Sequence, residues 1–269
     1  MMLARTADRA LLPARDALEE AGDMVILTGK TLLSAIRGPY PYGGEFIAQF
    51  LFALKLCWFP LLVTTFVASY AAPGLQAANF LILFGALDRM GGFFVLAVIR
   101  EFAPIFCGII VAGVAGTAIT ADLGARKIRE ELDALQVLGV DPVKNLVVPR
   151  FLALMLVTGL FDIFAIFAGL AGGLLANAFN GGATGHFFAT FLANANLTDL
   201  WGSVLKCTLY GAIVAIICCY KGMTASGGAE GVGRAVNQAV VMAFLAIGSI
   251  DYVFTQTLLA THPEINVIR

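Results

Sequence analysis

The chain has 269 residues, of which 59% are hydrophobic and only 13% are charged, and its mean hydropathy is +0.88. Soluble domains carry about 25% charged residues, so this composition excludes an ordinary soluble enzyme and indicates an integral membrane protein. The formal net charge of −1, with no basic block, gives no indication of nucleic-acid binding. The five cysteines lie in apolar segments without a CxxC spacing, so the sequence predicts neither disulfides nor a metal site.

Residues 1–45 form the one long polar stretch and are predicted to be a separate N-terminal region. The acidic residues within its first 23 positions argue against a signal peptide. An approximate helical stripe of apolar residues predicts an amphipathic helix that lies in the membrane interface rather than crossing it. This stripe consists of Leu18, Ala21, Val25, Leu32 and Ile36.

The remainder, 46–269, contains five apolar segments long enough to cross a bilayer as helices, which needs about 20 residues. The predicted spans are about 46–72, 102–121, 145–179, 200–220 and 235–260. The fold class is therefore an all-α polytopic membrane protein. Between the first two spans, Asp88-Arg89 and Gly91-Gly92 divide the apolar residues of 73–100, which predicts short helices near the far membrane face.

Small residues recur four apart in the second predicted span, as Ala112 with Gly116 and Gly113 with Thr117. Such spacing lets helices approach closely, so a packing contact is expected on this face.

Basic residues are concentrated in 1–45, in 122–150 and in 221–234, which alternate with regions that carry few of them. Positive charge is retained on the cytoplasmic side of membrane proteins. With five spans, these three regions are therefore predicted to be cytoplasmic, and the C-terminus is predicted to lie outside.

A charged segment separates the second and third predicted spans, with seven ionised residues within 122–133. Gly139 suits a left-handed cap and Pro142 prevents continuation, so a short amphipathic helix is predicted within about 122–139. Its apolar residues recur at helical spacing: Ile128, Leu132, Leu135 and Leu138. Two interpretations remain open, an interfacial loop helix and a docking helix for a soluble partner.

Three sequence runs resemble a known family: Arg100-Glu101-Phe102-Ala103-Pro104, the stretch 111–142, and 147–150 (VVPR). Together they closely resemble the MlaE/YrbE permeases, and most of all the actinobacterial YrbE members. Looser agreement extends from about Phe46 to Leu259. One departure is Val114, where many relatives carry a basic residue.

Members of this family are membrane subunits of ABC-type lipid transporters that work with MCE-domain proteins. The resemblance therefore implies a second permease subunit of the same or a related chain, a cytoplasmic ABC ATPase dimer, an MCE-domain assembly and a lipid substrate, in a bacterial inner membrane. The chain lacks a phosphate loop, so ATP and Mg²⁺ are expected on the partner ATPase, with no cofactor and no enzymatic activity on this chain.

The resemblance also implies site residues. In the resembling permeases, the motif that begins at Arg100 borders an outward-facing lipid cavity. The expected lipid path consists of Arg100, Glu101, Tyr70, Leu75, Phe80, Leu83 and Phe84. A structural alternative is an interfacial salt pair between Arg100 and Glu101.

The charged helix is expected to couple the permease to the ATPase. Its acidic face would meet basic groups of the ATPase, and two leucines would pack into a groove on that partner. The residues of this predicted coupling surface are Glu130, Glu131, Asp133, Leu132 and Leu135.

Three further ionisable residues fall within predicted spans: Asp162, Lys206 and Asp251. They are predicted to pair with one another for structural reasons, because an isolated charge in a membrane is costly, or to act directly in transport. A proton-coupled secondary transporter that uses Asp162 and Asp251 is the alternative function. A lipid enzyme has no supporting motif.

Overall fold

The computed structural model describes residues 2–40 and 42–263, and that part of the chain contains helices and no strands. The helices are α1 (Met2–Ile36), α2 (Gly43–Leu83), α3 (Leu87–Ile128), α4 (Glu131–Val137), α5 (Val143–Phe179), α6 (Thr184–Asn194), α7 (Leu197–Met223) and α8 (Gly228–Thr261). Five of them (α2, α3, α5, α7 and α8) are long and apolar enough to cross a membrane. This confirms the predicted all-α fold with five candidate spans.

The region 73–100 differs from the prediction of separate short helices. The helix α2 continues to Leu83 through a widened π-helical stretch, and α3 begins at Leu87 after a short turn at Gly85, whose φ is 62°. The Gly91-Gly92 pair does not end the helix. Instead, Gly91 lies against the backbone of α6. A Cβ atom at Gly91 would come within 1.9 Å of the Phe187 carbonyl oxygen, so this glycine serves close packing.

The helix α1 contacts the protein through two acidic residues and through Met24, which is buried, while large apolar residues on its other side are exposed. Glu20 forms an ion pair with Lys221, and Asp23 accepts a hydrogen bond from the Tyr220 hydroxyl at 3.2 Å. On the opposite side, Leu18 is 74% exposed. Three other large residues of the predicted apolar stripe are also exposed: Val25, Leu32 and Ile36. Exposed apolar residues are what a helix lying in the membrane interface would carry, and the interfacial position remains a prediction.

The core lies around α5, which packs mainly against α2 and α7, whereas α2 and α8 are largely exposed. Glycine permits the closest of these approaches. A Cβ atom at Gly172 would lie 2.5 Å from the Phe66 carbonyl oxygen of α2. In the predicted small-residue face of α3, Gly116 packs against Cys218 of α7, but Gly113 faces open space.

The bundle has two distinguishable ends. One carries α1, the 129–142 segment and the turn between α7 and α8, and is called here the α1 end. The other carries the α2–α3 turn and α6, and is called the α6 end. There the Thr190 hydroxyl donates to the Asp88 carbonyl oxygen at 3.1 Å.

The predicted helix within 122–139 is interrupted. The membrane helix α3 runs on to Ile128, and α4 starts only at Glu131, because Glu130 adopts the left-handed conformation with φ of 60°. The break turns Leu132 into the protein, where it is 3% exposed, while Leu138 on the predicted stripe is 76% exposed. Burial of Leu132 thus outweighs the helical spacing of apolar residues, which had predicted one continuous helix. Gly139 does adopt the predicted left-handed conformation, with φ of 76°.

Candidate functional site

A cluster of charged side chains is buried between α3, α7 and α8. It lies roughly three turns inside the α6 end, counted from Thr261 at the end of α8. Residues Val95–Phe102 of α3 form widened π-helical turns, which alter the rotation of Arg100 and Glu101 relative to a regular helix. Single π turns within α-helices are frequent at functional sites.

Arg100 pairs across the bundle with Asp199. The Arg100 Nε donates to Asp199 Oδ1 at 2.8 Å, and the Asp199 side chain is completely buried. The predicted salt pair between Arg100 and Glu101 is therefore wrong. Neighbouring residues on a helix point in different directions, so the two side chains meet different partners.

Lys206 is the centre of the second ion pair. Its Nζ atom lies 2.7 Å from Asp251 Oδ1 and 3.6 Å from Glu101 Oε2. It also donates to the Thr255 hydroxyl at 3.0 Å and to the Arg100 carbonyl oxygen at 2.5 Å. A buried ammonium group needs such partners to compensate for the loss of hydration. Lys206 therefore joins the three spans at one point.

Two hydroxyl groups complete the cluster. The Tyr210 hydroxyl donates to Asp251 Oδ1 at 2.6 Å, and the Thr255 hydroxyl donates to Glu101 Oε1 at 3.1 Å. Glu101 lies at the solvent-accessible edge of the cluster, with 33% of its side chain exposed compared with 3% for Lys206. The arrangement can hold a charged network in an apolar bundle and present one carboxylate at its surface.

Asp162 does not belong to this cluster, although the sequence grouped it with Lys206 and Asp251. Its Oδ1 atom accepts a hydrogen bond from the Cys207 thiol at 3.3 Å. Lys206 and Cys207 are consecutive on α7 and therefore point to different neighbours. The prediction of a structural set is confirmed for Lys206 with Asp251 and is wrong for Asp162.

The other predicted lipid-path residues lie on the second half of α2 and the turn after it. Tyr70 contacts Phe179 of α5 edge to face, with ring centroids 6.4 Å apart. Leu75 is partly buried. Phe80, Leu83 and Phe84 are all exposed at the α6 end. Within the described part of a single chain, these residues are spread along an open surface, and a shared lipid path remains a prediction.

The predicted coupling residues are partly engaged within the chain. Arg129 pairs with Glu131 at 2.7 Å, and Lys127 pairs with Asp133 at 3.0 Å. The break before α4 brings each acid back to a base at the end of α3, yet about half of each carboxylate side chain remains exposed, and its contact with an ATPase remains a prediction. Leu132 is buried and Leu135 is partly buried.

Two exposed apolar residues at the end of α4 were not among the predicted coupling residues. Val137 is 88% exposed, and Leu138, which follows the helix, is 76% exposed. The helical stripe included Leu138, but only the position of the break shows which of the leucines face outward.

Arg150 was also missed. Its side chain is 1% exposed, and its guanidinium group lies 2.8 Å from Asp122 and 3.3 Å from Glu45. It thereby connects the first turn of α2 with the part of α3 that leads into α4. The sequence signal was an arginine at the start of an apolar segment, which also fits an ordinary headgroup contact.

An apolar groove of about 500 Å³ runs along the outer surface between α2 and α5. Its lining residues are Leu54, Lys55, Trp58, Leu61, Leu62, Phe161 and Phe164. It is separate from the charged cluster, since the two share no residue.

Five candidate spans around buried ion pairs define a polytopic α-helical membrane protein. Its sequence matches the family model for the permease MlaE over residues 46–257. The chain therefore belongs to the MlaE permease family, and it is a membrane transport component.

Relatives agree with this assignment. The chain is 37% identical over 174 residues to a probable ABC transporter permease protein of Synechocystis, covering 64% of this chain and 66% of that protein. It is 33% identical over 228 residues to a probable ABC transporter permease protein of Rickettsia typhi, covering 84% and 87%. It is 29% identical over 184 residues to the intermembrane phospholipid transport system permease protein MlaE of Haemophilus influenzae, covering 68% and 70%.

Proposed function

We propose that the chain is the permease subunit of an ABC-type transporter that moves lipid between the inner membrane and the cell envelope of a bacterium. The observation that carries this proposal is the family match across all five candidate spans. The name of the Haemophilus influenzae relative, an intermembrane phospholipid transport system permease protein, supports lipid as the substrate. The comparisons favour this function over proton-coupled secondary transport. Asp251, one of the two carboxylates that such a proton path would use, is engaged in an ion pair with Lys206.

In this proposal, ATP hydrolysis takes place on a cytoplasmic ATPase dimer that contacts α4 and the turns beside it. The exposed Val137 and Leu138 would insert into an apolar groove of the ATPase, and Glu130 would remain for its basic groups. The ion pairs of Glu131 and Asp133 would hold α4 in position. Arg150 would then transmit movement of this segment to α2 and α5, because it contacts both Asp122 and Glu45.

The proposed orientation places the α1 end in the cytoplasm and the α6 end outside. It is supported by the basic residues that accumulate at the α1 end and by the positive-inside rule. A second permease subunit would pair with this one in the membrane, and an MCE-domain assembly would meet the α6 end. Glu101 lies nearer to that end, so its exposed carboxylate is placed to meet a lipid that enters or leaves there.

The test uses the permease co-expressed with its ATPase and purified in mild detergent. Replacing both apolar residues, Val137→Asp with Leu138→Asp, puts two charges into the proposed apolar contact. We expect at least a tenfold loss of bound ATPase and a corresponding loss of ATP-dependent movement of labelled phospholipid in vesicles. Ala134→Ser, an exposed change on the same helix, is the matched control and should retain both.

The two parts of the proposal fail in different ways. If the wild-type permease neither binds an ATPase nor moves phospholipid on addition of ATP, the ABC lipid permease function is wrong. If transport occurs and the double variant retains normal ATPase binding, the function stands and the coupling surface is elsewhere. In the same assay, the variant Glu131→Arg with Asp133→Arg tests the contribution of the acidic residues separately from that of Val137 and Leu138.

A further inference from the structure

Three side chains of metal-binding type meet in the buried core from three different spans. Cys107 of α3, Asp162 of α5 and Cys207 of α7 place their ligand atoms within 4.8 Å of one another. All three residues are completely buried. In the described part of the chain, this is the one group of three histidine, cysteine or acidic residues with such spacing.

Hydrogen bonding within the chain leaves this cluster incomplete. Cys207 Sγ lies 3.3 Å from Asp162 Oδ1 and 3.7 Å from the Pro104 carbonyl oxygen, but a thiol has one proton and can serve one of them. The second carboxylate oxygen of Asp162 is buried without a hydrogen-bond partner. Buried polar atoms are nearly always paired, and the hydroxyl that faces this carboxylate is that of Ser203, without a hydrogen bond of good geometry between them.

Ser203 supplies a fourth polar atom of the same kind. Its Oγ atom is buried without a partner, and it precedes Cys207 by one turn of α7, which places both residues on one face. Two buried oxygen atoms without a well-formed hydrogen bond, together with two thiols, distinguish this position from ordinary apolar packing of cysteine.

The spacing suits a tetrahedral zinc ion. Zinc binds thiolates at about 2.3 Å and carboxylates at about 2.0–2.2 Å, which separates neighbouring ligand atoms by about 3.3–3.8 Å. Cys207 Sγ and Asp162 Oδ1 are 3.3 Å apart, and no two of the three ligand atoms are more than 4.8 Å apart, so small side-chain movements would close the site. Two sulfur donors select a zinc-type ion over Mg²⁺ or Ca²⁺, which prefer oxygen ligands throughout.

We propose that Cys107, Asp162 and Cys207 bind one zinc-type divalent ion, with the Ser203 hydroxyl or the Pro104 carbonyl group as a fourth ligand. The two thiols lose their protons to the medium when the metal binds. Because the ligands come from α3, α5 and α7, the ion acts as a structural link between spans. This site is independent of the proposed transport function, and it would replace the sequence-based expectation of no metal site.

The test begins with the full chain, purified in detergent with a tag that contains no histidine. After incubation with Zn²⁺ and gel filtration, we expect about one zinc ion per chain by mass spectrometry. Cys107→Ser with Cys207→Ser should reduce bound zinc at least tenfold, as should Asp162→Asn. Cys218→Ser removes another buried thiol of α7 and is the matched control, which should bind zinc as the wild type does.

A second measurement on the wild type does not depend on variants that fold poorly. X-ray absorption of the zinc-loaded protein should show two sulfur and two lighter ligands around the metal. Zinc should also raise the thermal unfolding midpoint of the wild type and of Cys218→Ser. Substoichiometric zinc, equal binding by the cluster variants, or a ligand shell without two sulfur atoms would overturn the proposal.

Discussion

Among single residues, Lys206 is the one on which the charged cluster depends most. Its Nζ atom contacts Asp251 and lies near Glu101, and its side chain is only 3% exposed. A buried ion pair is weak evidence of net stability, because desolvation offsets much of the attraction. Removing one partner is different, since it leaves the other charge buried without compensation.

We therefore predict that Lys206→Met lowers the free energy of unfolding by about 3–5 kcal/mol. The double variant Lys206→Met with Asp251→Asn should recover part of this loss, because it also removes a carboxylate left without its ammonium partner. Thermal unfolding in detergent measures both.

Lys55 provides the control for this prediction. It also lies in an apolar span, but it is exposed on the outer surface of α2, where its side chain can reach the headgroups. Lys55→Met should therefore change the unfolding midpoint little. Equal effects of the two lysine changes would contradict the special role assigned to Lys206.

At the scale of elements, the helix contacts depend on where small residues face. Gly172 of α5 lies against the backbone of α2, and a backbone cannot move aside as a flexible side chain can. Gly113 of α3 is also in a span, but its Cα faces open space. The two glycines are indistinguishable by local composition.

Gly172→Ala is expected to destabilise the bundle, because the added Cβ would lie 2.5 Å from the Phe66 carbonyl oxygen. Gly113→Ala should be neutral or slightly stabilising, since alanine favours the helix by about 1 kcal/mol. The unfolding midpoints of the two purified variants provide the comparison. A loss of stability for Gly113→Ala equal to that for Gly172→Ala would show that the packing assignment is wrong.

The loop elements show the same dependence on tertiary contacts. Continuous helical spacing predicted one amphipathic helix, but the chain turns at Glu130 and buries Leu132. The break moves the exposed apolar surface to Val137 and Leu138. Acidic residues that read as a free face are instead paired with Arg129 and Lys127.

For the whole molecule, the testable quantity is the side of the membrane that each end faces. All five native cysteines are buried, so an impermeant maleimide should label only introduced cysteines at exposed positions. Ser226→Cys marks the α1 end, and Thr184→Cys marks the start of α6. Asn266, another marker chosen from the sequence, lies outside the described residues.

We predict that in intact cells Thr184→Cys is labelled and Ser226→Cys is not, because the positive-inside rule places the basic regions of the α1 end in the cytoplasm in the proposed orientation. Opening the membrane should make both positions reactive. Gln136→Cys, also at the α1 end, should behave as Ser226→Cys does. Labelling of Ser226→Cys alone in intact cells would reverse the proposed orientation, and labelling of both positions would show that α7, the one span between them, does not cross the membrane.

The class of the protein and the number of its spans follow from the sequence by itself, because the length and hydropathy of a segment are local properties. The helical state of α1 and the left-handed Gly139 follow from local sequence for the same reason, while the interfacial position of α1 remains a prediction. The partners of the charges were decided by the tertiary structure. Arg100 meets Asp199 rather than Glu101, and Asp162 meets Cys207 rather than Lys206. Each of these choices depends on the rotation of helices that are distant in the chain, and local periodicity does not specify which faces of different helices meet.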